Sequence, residues 1–300
     1  MRKPVFVIAL AGVAGAIAFQ AAAQDQALLE RGEYLMNGAV ACGNCHNTRA
    51  EDMSFVEGKE FAGGFHIVED GILDVYAANI TPDPETGIGT WTDEEIITAI
   101  REGKSKDGRI IFPPMAVPTY NNMSDDDVRA IVAYLRTVPP VHNPVPESTY
   151  HIPQQAMPPA QGLPAPPETD QVAYGGYIVN ALAHCFECHT TAGPDGIPDF
   201  ANAMGAGGFE IQLAPGMTVR TANITPDPET GIGNWSDEDI KKAITEAVRP
   251  DGGTLAPPMP YPFFKNMTEA DLDAVIAYLR TIPPISNQVE RTEFQEQAFP

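Results

Sequence analysis

Residues 41–50 read ACGNCHNTRA and residues 184–193 read HCFECHTTAG. All four cysteines of the chain lie in these two stretches, as Cys42-Gly-Asn-Cys45-His46 and Cys185-Phe-Glu-Cys188-His189. Three chemistries use cysteines at this spacing: a disulfide, a zinc site and covalent haem attachment. A bridge inside Cys-x-x-Cys is usually redox-active rather than structural. A zinc site needs further cysteines or nearby histidines to complete four ligands, and neither motif has them. Thioredoxin-like chemistry needs a βαβ surround, which is missing here. Haem attachment needs two thiols one helical turn apart for two vinyl groups and an imidazole beside the second thiol to reach the iron. The two motifs therefore predict two covalently bound c-type haems, with Cys42, Cys45, Cys185 and Cys188 as thioether carriers and His46 and His189 as iron ligands.

The chain begins MRKPVFVIALAGVAGAIAFQAAAQDQ. A basic start (Arg2, Lys3), an apolar run from Val5 to Phe19 and the small residues Ala21-Ala22-Ala23 predict a cleavable secretory signal over residues 1–23, and hence a periplasmic protein. No later segment is long and apolar enough to span a bilayer, which predicts no membrane span in the mature chain and is compatible with peripheral association. The formal charge is −22, from 40 acidic and 18 basic side chains. Such a surface repels nucleic acid, keeps the chain soluble and can steer a basic partner.

The rest of the sequence is a duplication. ANITPDPETGIGTWTDEEI begins at Ala78, and ANITPDPETGIGNWSDEDI begins 144 residues later at Ala222. AIVAYLRTVPP from Ala130 recurs as AVIAYLRTIPP from Ala274. The predicted organisation is a first domain over 24–140, a Pro-rich linker over 141–170 lying along the domain surfaces, and a second domain over 171–300. Helices are expected up to each Cys-x-x-Cys-His, after Thr92 and Ser236 (both followed by an acidic residue at the third position), and after Ser124 and Thr268. Short extended pieces are expected around GILDVYAAN and MTVRTAN. Each domain is thus mainly helical, with a long irregular stretch that needs something to pack on.

The sixth iron position has a repeated candidate. FPPMAVP carries Met115, 73 residues after Cys42, and APPMPYP carries Met259, 74 residues after Cys185. Paired prolines stiffen the loop and present the thioether at a fixed place. Met123 and Met267 also repeat, but each directly precedes a helix cap and is expected to pack as a staple. His66, His142, His151 and His184 lack equivalents in the other copy and are expected on surfaces or loops.

Taken together, the Cys-x-x-Cys-His, NITPDPETGIG, Pro-Pro-Met and AYLR motifs resemble class I c-type cytochrome domains. They resemble most closely the cytochrome c subunits of periplasmic alcohol, sugar-acid and molybdenum-hydroxylase dehydrogenases. The resemblance covers both domains. It implies a mainly α fold of two tandem class I cytochrome c domains, each wrapping one covalent haem, with the first and last helices crossing. Gly32 and Tyr34, with Gly175 and Tyr177, would meet the helices bearing Tyr134 and Tyr278. It further implies Asn79, Asn223, Trp91, Trp235 and Arg109 as candidates for propionate contact or haem packing, with a turn-forming role as the alternative for the asparagines. The alcohol-dehydrogenase subunits usually carry three haem sites and a C-terminal membrane attachment. This chain has two sites and ends in the polar SNQVERTEFQEQAFP.

A haem closed by His and Met on both sides offers one-electron exchange and no substrate position. The expected function is electron transfer, not enzymatic turnover. The donor would be a periplasmic dehydrogenase, the acceptor a downstream cytochrome or terminal oxidase, and the chain either a free carrier or a fixed subunit. The alternative is a dihaem enzyme of peroxidase or thiosulfate-oxidising type, which requires one open or weakly ligated haem. Arg109, matched by Gly253, predicts a higher potential at the first site.

Overall fold

The computed structural model of the chain describes residues 10–69, 71–194, 197–214 and 217–292. Its elements run in two matching series. The first comprises α1 (Leu10–Asn37), α2 (Gly43–His46), β1 (His66–Glu69), β2 (Leu73–Tyr76), α3 (Asp93–Glu102), α4 (Val117–Tyr120) and α5 (Asp125–Leu135). A short strand, β3 (Thr149–Tyr150), follows in the connecting segment. The second series comprises α6 (Gln171–Tyr177), continued by a π-helical turn over Ile178–Leu182, then α7 (Cys185–Cys188), β4 (Glu210–Ala214), β5 (Met217–Arg220), α8 (Asp237–Glu246), α9 (Tyr261–Phe264) and α10 (Glu269–Leu279).

Helix starts follow their local chemistry. Thr92 and Glu95 form a reciprocal capping box on α3, and Ser236 and Asp239 do the same on α8. These bonds satisfy backbone donors that the first turn leaves free. Ser124 and Thr268 cap α5 and α10 by accepting from the amides of Asp127 and Asp271. Gly103 ends α3 in the left-handed region at φ 68°, whereas Ala247 holds the same place on α8 at φ 58°. The predicted apolar faces are buried: Val128, Ile131, Val132 and Leu135 on α5, and Leu272, Val275, Ile276 and Leu279 on α10. Met123 and Met267 are buried ahead of the two caps, as staples should be.

The first and last helices of each half cross at a glycine. A Cβ on Gly32 would lie 2.0 Å from the Ala130 carbonyl oxygen, and one on Gly175 would lie 1.8 Å from that of Ala274. Only a residue without a side chain lets the two backbones approach so closely. The tyrosines do otherwise. Tyr34 and Tyr177 send their hydroxyls to the opposite half of the molecule, to Asp271 and Asp127, so the expectation that they would serve their own crossing is corrected.

The extended pieces have partners that were not predicted. β1 and β2 pair antiparallel, with Ile67 opposite Val75, and β2 also pairs with β3. β4 and β5 form the equivalent hairpin. β3 belongs to the Pro-rich segment, which runs along the first half: the Met157 amide donates to the Glu102 carbonyl, and Asn121 donates to that of Pro158. The buried apolar residues of both halves join one contiguous core, from Leu35 and Met36 through Tyr174 and Ile178 to Phe263 and Leu279.

Candidate haem sites

The first motif sits on α2, directly after the turn that ends α1. Ala41 enters it with a left-handed φ of 54°, and His184 enters α7 at φ 44°. Both backbones bend the same way to aim the next cysteine. All four thiols are free, so no disulfide competes. Among the described residues, no group of three or more His, Cys, Asp or Glu side chains is placed to hold a metal ion.

His46 Nδ1 lies 2.8 Å from the Ala78 carbonyl oxygen, and His189 Nδ1 lies 2.8 Å from that of Ala222. A carbonyl can only accept, so Nδ1 carries the proton and Nε2 keeps its lone pair. Burial lowers the pKa of both imidazoles, which keeps them neutral. A neutral imidazole with Nδ1 tied to a backbone carbonyl is what iron ligation through Nε2 requires.

Cys42, Cys185, His46 and His189 are only half-buried by surface area, and Cys45 is exposed. Yet the surrounding protein pushes the thiols of Cys42, Cys185 and Cys188 up to about 12. Met115 and Met259 are likewise half-buried and pack against the core. The Val117 amide donates to the Met115 carbonyl at 2.7 Å, and the Tyr261 amide to the Met259 carbonyl at 2.9 Å, which ties each Pro-Pro-Met loop to α4 or α9. Free thiols, imidazoles fixed at Nδ1 and half-buried methionines on tied loops fit a covalently held haem in each half.

Two expectations change. Every polar atom of the Asn79 side chain is engaged: Nδ2 donates to the Val141 carbonyl and to Thr86 Oγ1, while Oδ1 accepts from Thr81 N and Oγ1. Asn223 repeats this with Ile285, Thr230 and Thr225. Neither amide has a donor left for a propionate; both are loop organisers. Arg109 is 63% exposed and pairs with Asp107 at 2.7 Å, so its charge is offset at the surface. Trp91 and Trp235 lie half-buried on the core, held through their carbonyls by Arg136 and Arg280. Neither indole nitrogen has a hydrogen-bond partner among the described residues.

The two sites face each other, which the sequence did not reveal. A Cβ on Gly43 of α2 would meet the Phe263 ring of α9 at 2.7 Å, and Asn44 Nδ2 donates to the Pro258 carbonyl at 3.2 Å. Reciprocally, Glu187 of α7 accepts from Thr119 Oγ1 of α4 at 2.6 Å, and His184 stacks edge-on against Tyr120 with centroids 6.1 Å apart. Each cysteine motif thus packs on the other half's methionine-loop helix. His184 is therefore an interface residue rather than a surface one, and burial lowers its pKa to about 4.

The family model for cytochrome c matches residues 29–139 and 173–283. The cytochrome c subunit of the quinone-type alcohol dehydrogenase of Gluconobacter oxydans (strain 621H) is 34% identical over 281 residues, 87% of this chain and 56% of that protein. The cytochrome subunit of fructose dehydrogenase of Gluconobacter japonicus is 32% identical over 275 residues, 85% of this chain and 52% of that protein. A diheme cytochrome c-type protein of Cereibacter sphaeroides is 28% identical over 273 residues, 85% of this chain and 86% of that protein. The chain spans little more than half the length of the two dehydrogenase subunits. With both halves matched by the family model and each holding the same cysteine and histidine arrangement, the chain belongs to the cytochrome c family, as two tandem cytochrome c domains that carry two c-type haems.

Proposed function

We propose that the chain is an exported dihaem electron carrier that takes single electrons from a dehydrogenase and hands them to a downstream cytochrome or terminal oxidase in the periplasm. In this reading Cys42, Cys45, Cys185 and Cys188 would hold the haems, and His46 and His189, with Met115 and Met259, would ligate their irons. Bound haem iron supplies reversible one-electron exchange between its ferric and ferrous states. The protein contributes orientation, exclusion of water and control of charge. The Ala78 and Ala222 carbonyls fix the imidazoles, the Pro-Pro-Met loops bring the thioethers, and α4 and α9 keep the two sites in one packed unit. The indole nitrogens of Trp91 and Trp235 remain as donors for propionates.

The observation that carries the reading is the repetition of the same donor set in both halves. Methionine follows Pro-Pro in both halves, which supports a thioether ligand for each iron. The named relatives are cytochrome subunits of alcohol, fructose and gluconate dehydrogenases, which supports a dehydrogenase as donor. Export rests on the leader-like residues 1–23. Residues 1–9 lie outside the described ones, and α1 runs through Ala23. No helix among the described residues is long and apolar enough to cross a membrane. The test is an optical spectrum of the oxidised holoprotein with its intact mass. Two added porphyrins and two low-spin haems with methionine-to-iron charge-transfer absorption are expected. A high-spin fraction that binds cyanide would overturn the carrier reading in favour of a dihaem enzyme.

A further inference from the structure

One difference between the two halves is a partly buried cation beside the first cysteine motif. Arg49 lies three residues after His46, and its equivalent in the second half is Ala192. Both residues make the same isolated bridge, to Phe55 and to Pro198 respectively. The Arg49 guanidinium sits over the rings of Phe55, at 4.4 Å, and Phe65, at 5.0 Å. It donates to the Met53 carbonyl and to the carbonyl and side chain of Asn44, inside the first cysteine motif. Its Nε is buried without a partner. Among the described residues it has no carboxylate partner, whereas the salt bridges of Arg31, Arg101, Arg136, Arg220 and Arg280 each include one. A guanidinium stays protonated under any ordinary condition.

An unpaired, partly buried cation is costly to maintain. At this place it has an electrostatic consequence. Oxidation of a haem adds one positive charge to the site, and a fixed cation within reach opposes that addition. Burial and the absence of a counter-charge limit screening by salt. We propose that Arg49 makes the first site the stronger electron acceptor of the two, so that the internal electron flow runs from the second domain to the first. The step is balanced within the chain: one electron leaves the second site, which is oxidised, and reduces the first. Arg49 is a positioning residue in this scheme, acting through its field. The inference rests on the two-site carrier reading above and replaces the surface-paired Arg109 as the source of the asymmetry.

The test is a potentiometric titration of the holoprotein followed by its optical spectrum, for wild type, Arg49→Gln and Arg49→Lys. Wild type is expected to show two midpoints. Arg49→Gln should lower only the upper one. At the wild-type upper midpoint, the reduced-to-oxidised ratio of that site should fall about threefold to tenfold, a tenfold change being about 59 mV for one electron. Arg49→Lys keeps the charge while losing the guanidinium fork, and should retain most of the wild-type value. The proposal is overturned if wild type has a single midpoint, if both midpoints move together, if the lower one moves, or if Lys behaves like Gln. A wild-type spectrum without two low-spin methionine-ligated haems defeats the carrier reading itself, whereas a normal spectrum with unmoved midpoints defeats only the role of Arg49.

Discussion

Tyr34 on α1 donates its hydroxyl hydrogen to Asp271 on α10 of the other half, and Tyr177 on α6 donates to Asp127 on α5 at 2.6 Å. The same tyrosine oxygens accept from the amides of Thr268 and Ser124, at 3.2 and 3.0 Å. Each tyrosine therefore closes the start of the opposite half's last helix. Asp271 and Asp127 are buried, so loss of either hydroxyl leaves a carboxylate short of a partner.

Tyr34→Phe and Tyr177→Phe are each expected to cost about 1–3 kcal/mol in urea unfolding. Asp127 retains Arg31 at 2.7 Å, so the Tyr177 change should be the milder of the two. Equal losses would argue that Arg31 does not share the load.

Stability should also fall at high pH. Burial raises the pKa of Tyr34 and Tyr177 above the ordinary 10.0. The unfolded chain then ionises first, at about pH 10, and the folded state binds the proton more tightly. The stabilisation is complete below that pH and is lost as pH rises through the folded values. Thermal melts of the double phenylalanine variant should show a flatter decline above pH 10 than wild type.

Met115→Ala and Met259→Ala are each expected to remove about half of the methionine-to-iron charge-transfer absorption while the other half persists. Loss of all of it from one change would mean that the sites are not independent in ligation.

Asn79→Ala should act on stability and not on haem content. It removes the group that ties Thr81, Thr86 and Val141 together, at a cost on the order of 2–4 kcal/mol. Folded molecules should still carry two porphyrins by mass. A variant of normal stability with an altered haem spectrum would reverse this assignment.

Gly175→Ala places a methyl group where the Ala274 carbonyl oxygen already sits, and should cost at least about 2 kcal/mol by calorimetry.

The capped helices and the crossing glycines are legible from the sequence, because each is local or repeated in register. Tyr34 and Tyr177 were misplaced for the same reason. In a duplicated chain, a contact within one copy and the mirrored contact between copies leave identical sequence traces. Arg49 went unnoticed because a lone basic residue after a motif carries no pattern; only its buried Nε and missing carboxylate distinguish it. Glu187 lies between the two cysteines of the second motif, where the first motif has Asn44. Burial raises its pKa above the ordinary 4.5, against the hydrogen bond from Thr119, which lowers it.

The mirrored Tyr–Asp contacts are isologous: each half gives and receives the same group. A closed two-fold homodimer makes contacts of this kind between identical subunits. The architecture is therefore that of a symmetric pair whose two members have been spliced into one polypeptide. Once spliced, the members were free to diverge at single positions such as 49 and 192, which an obligate homodimer could not do.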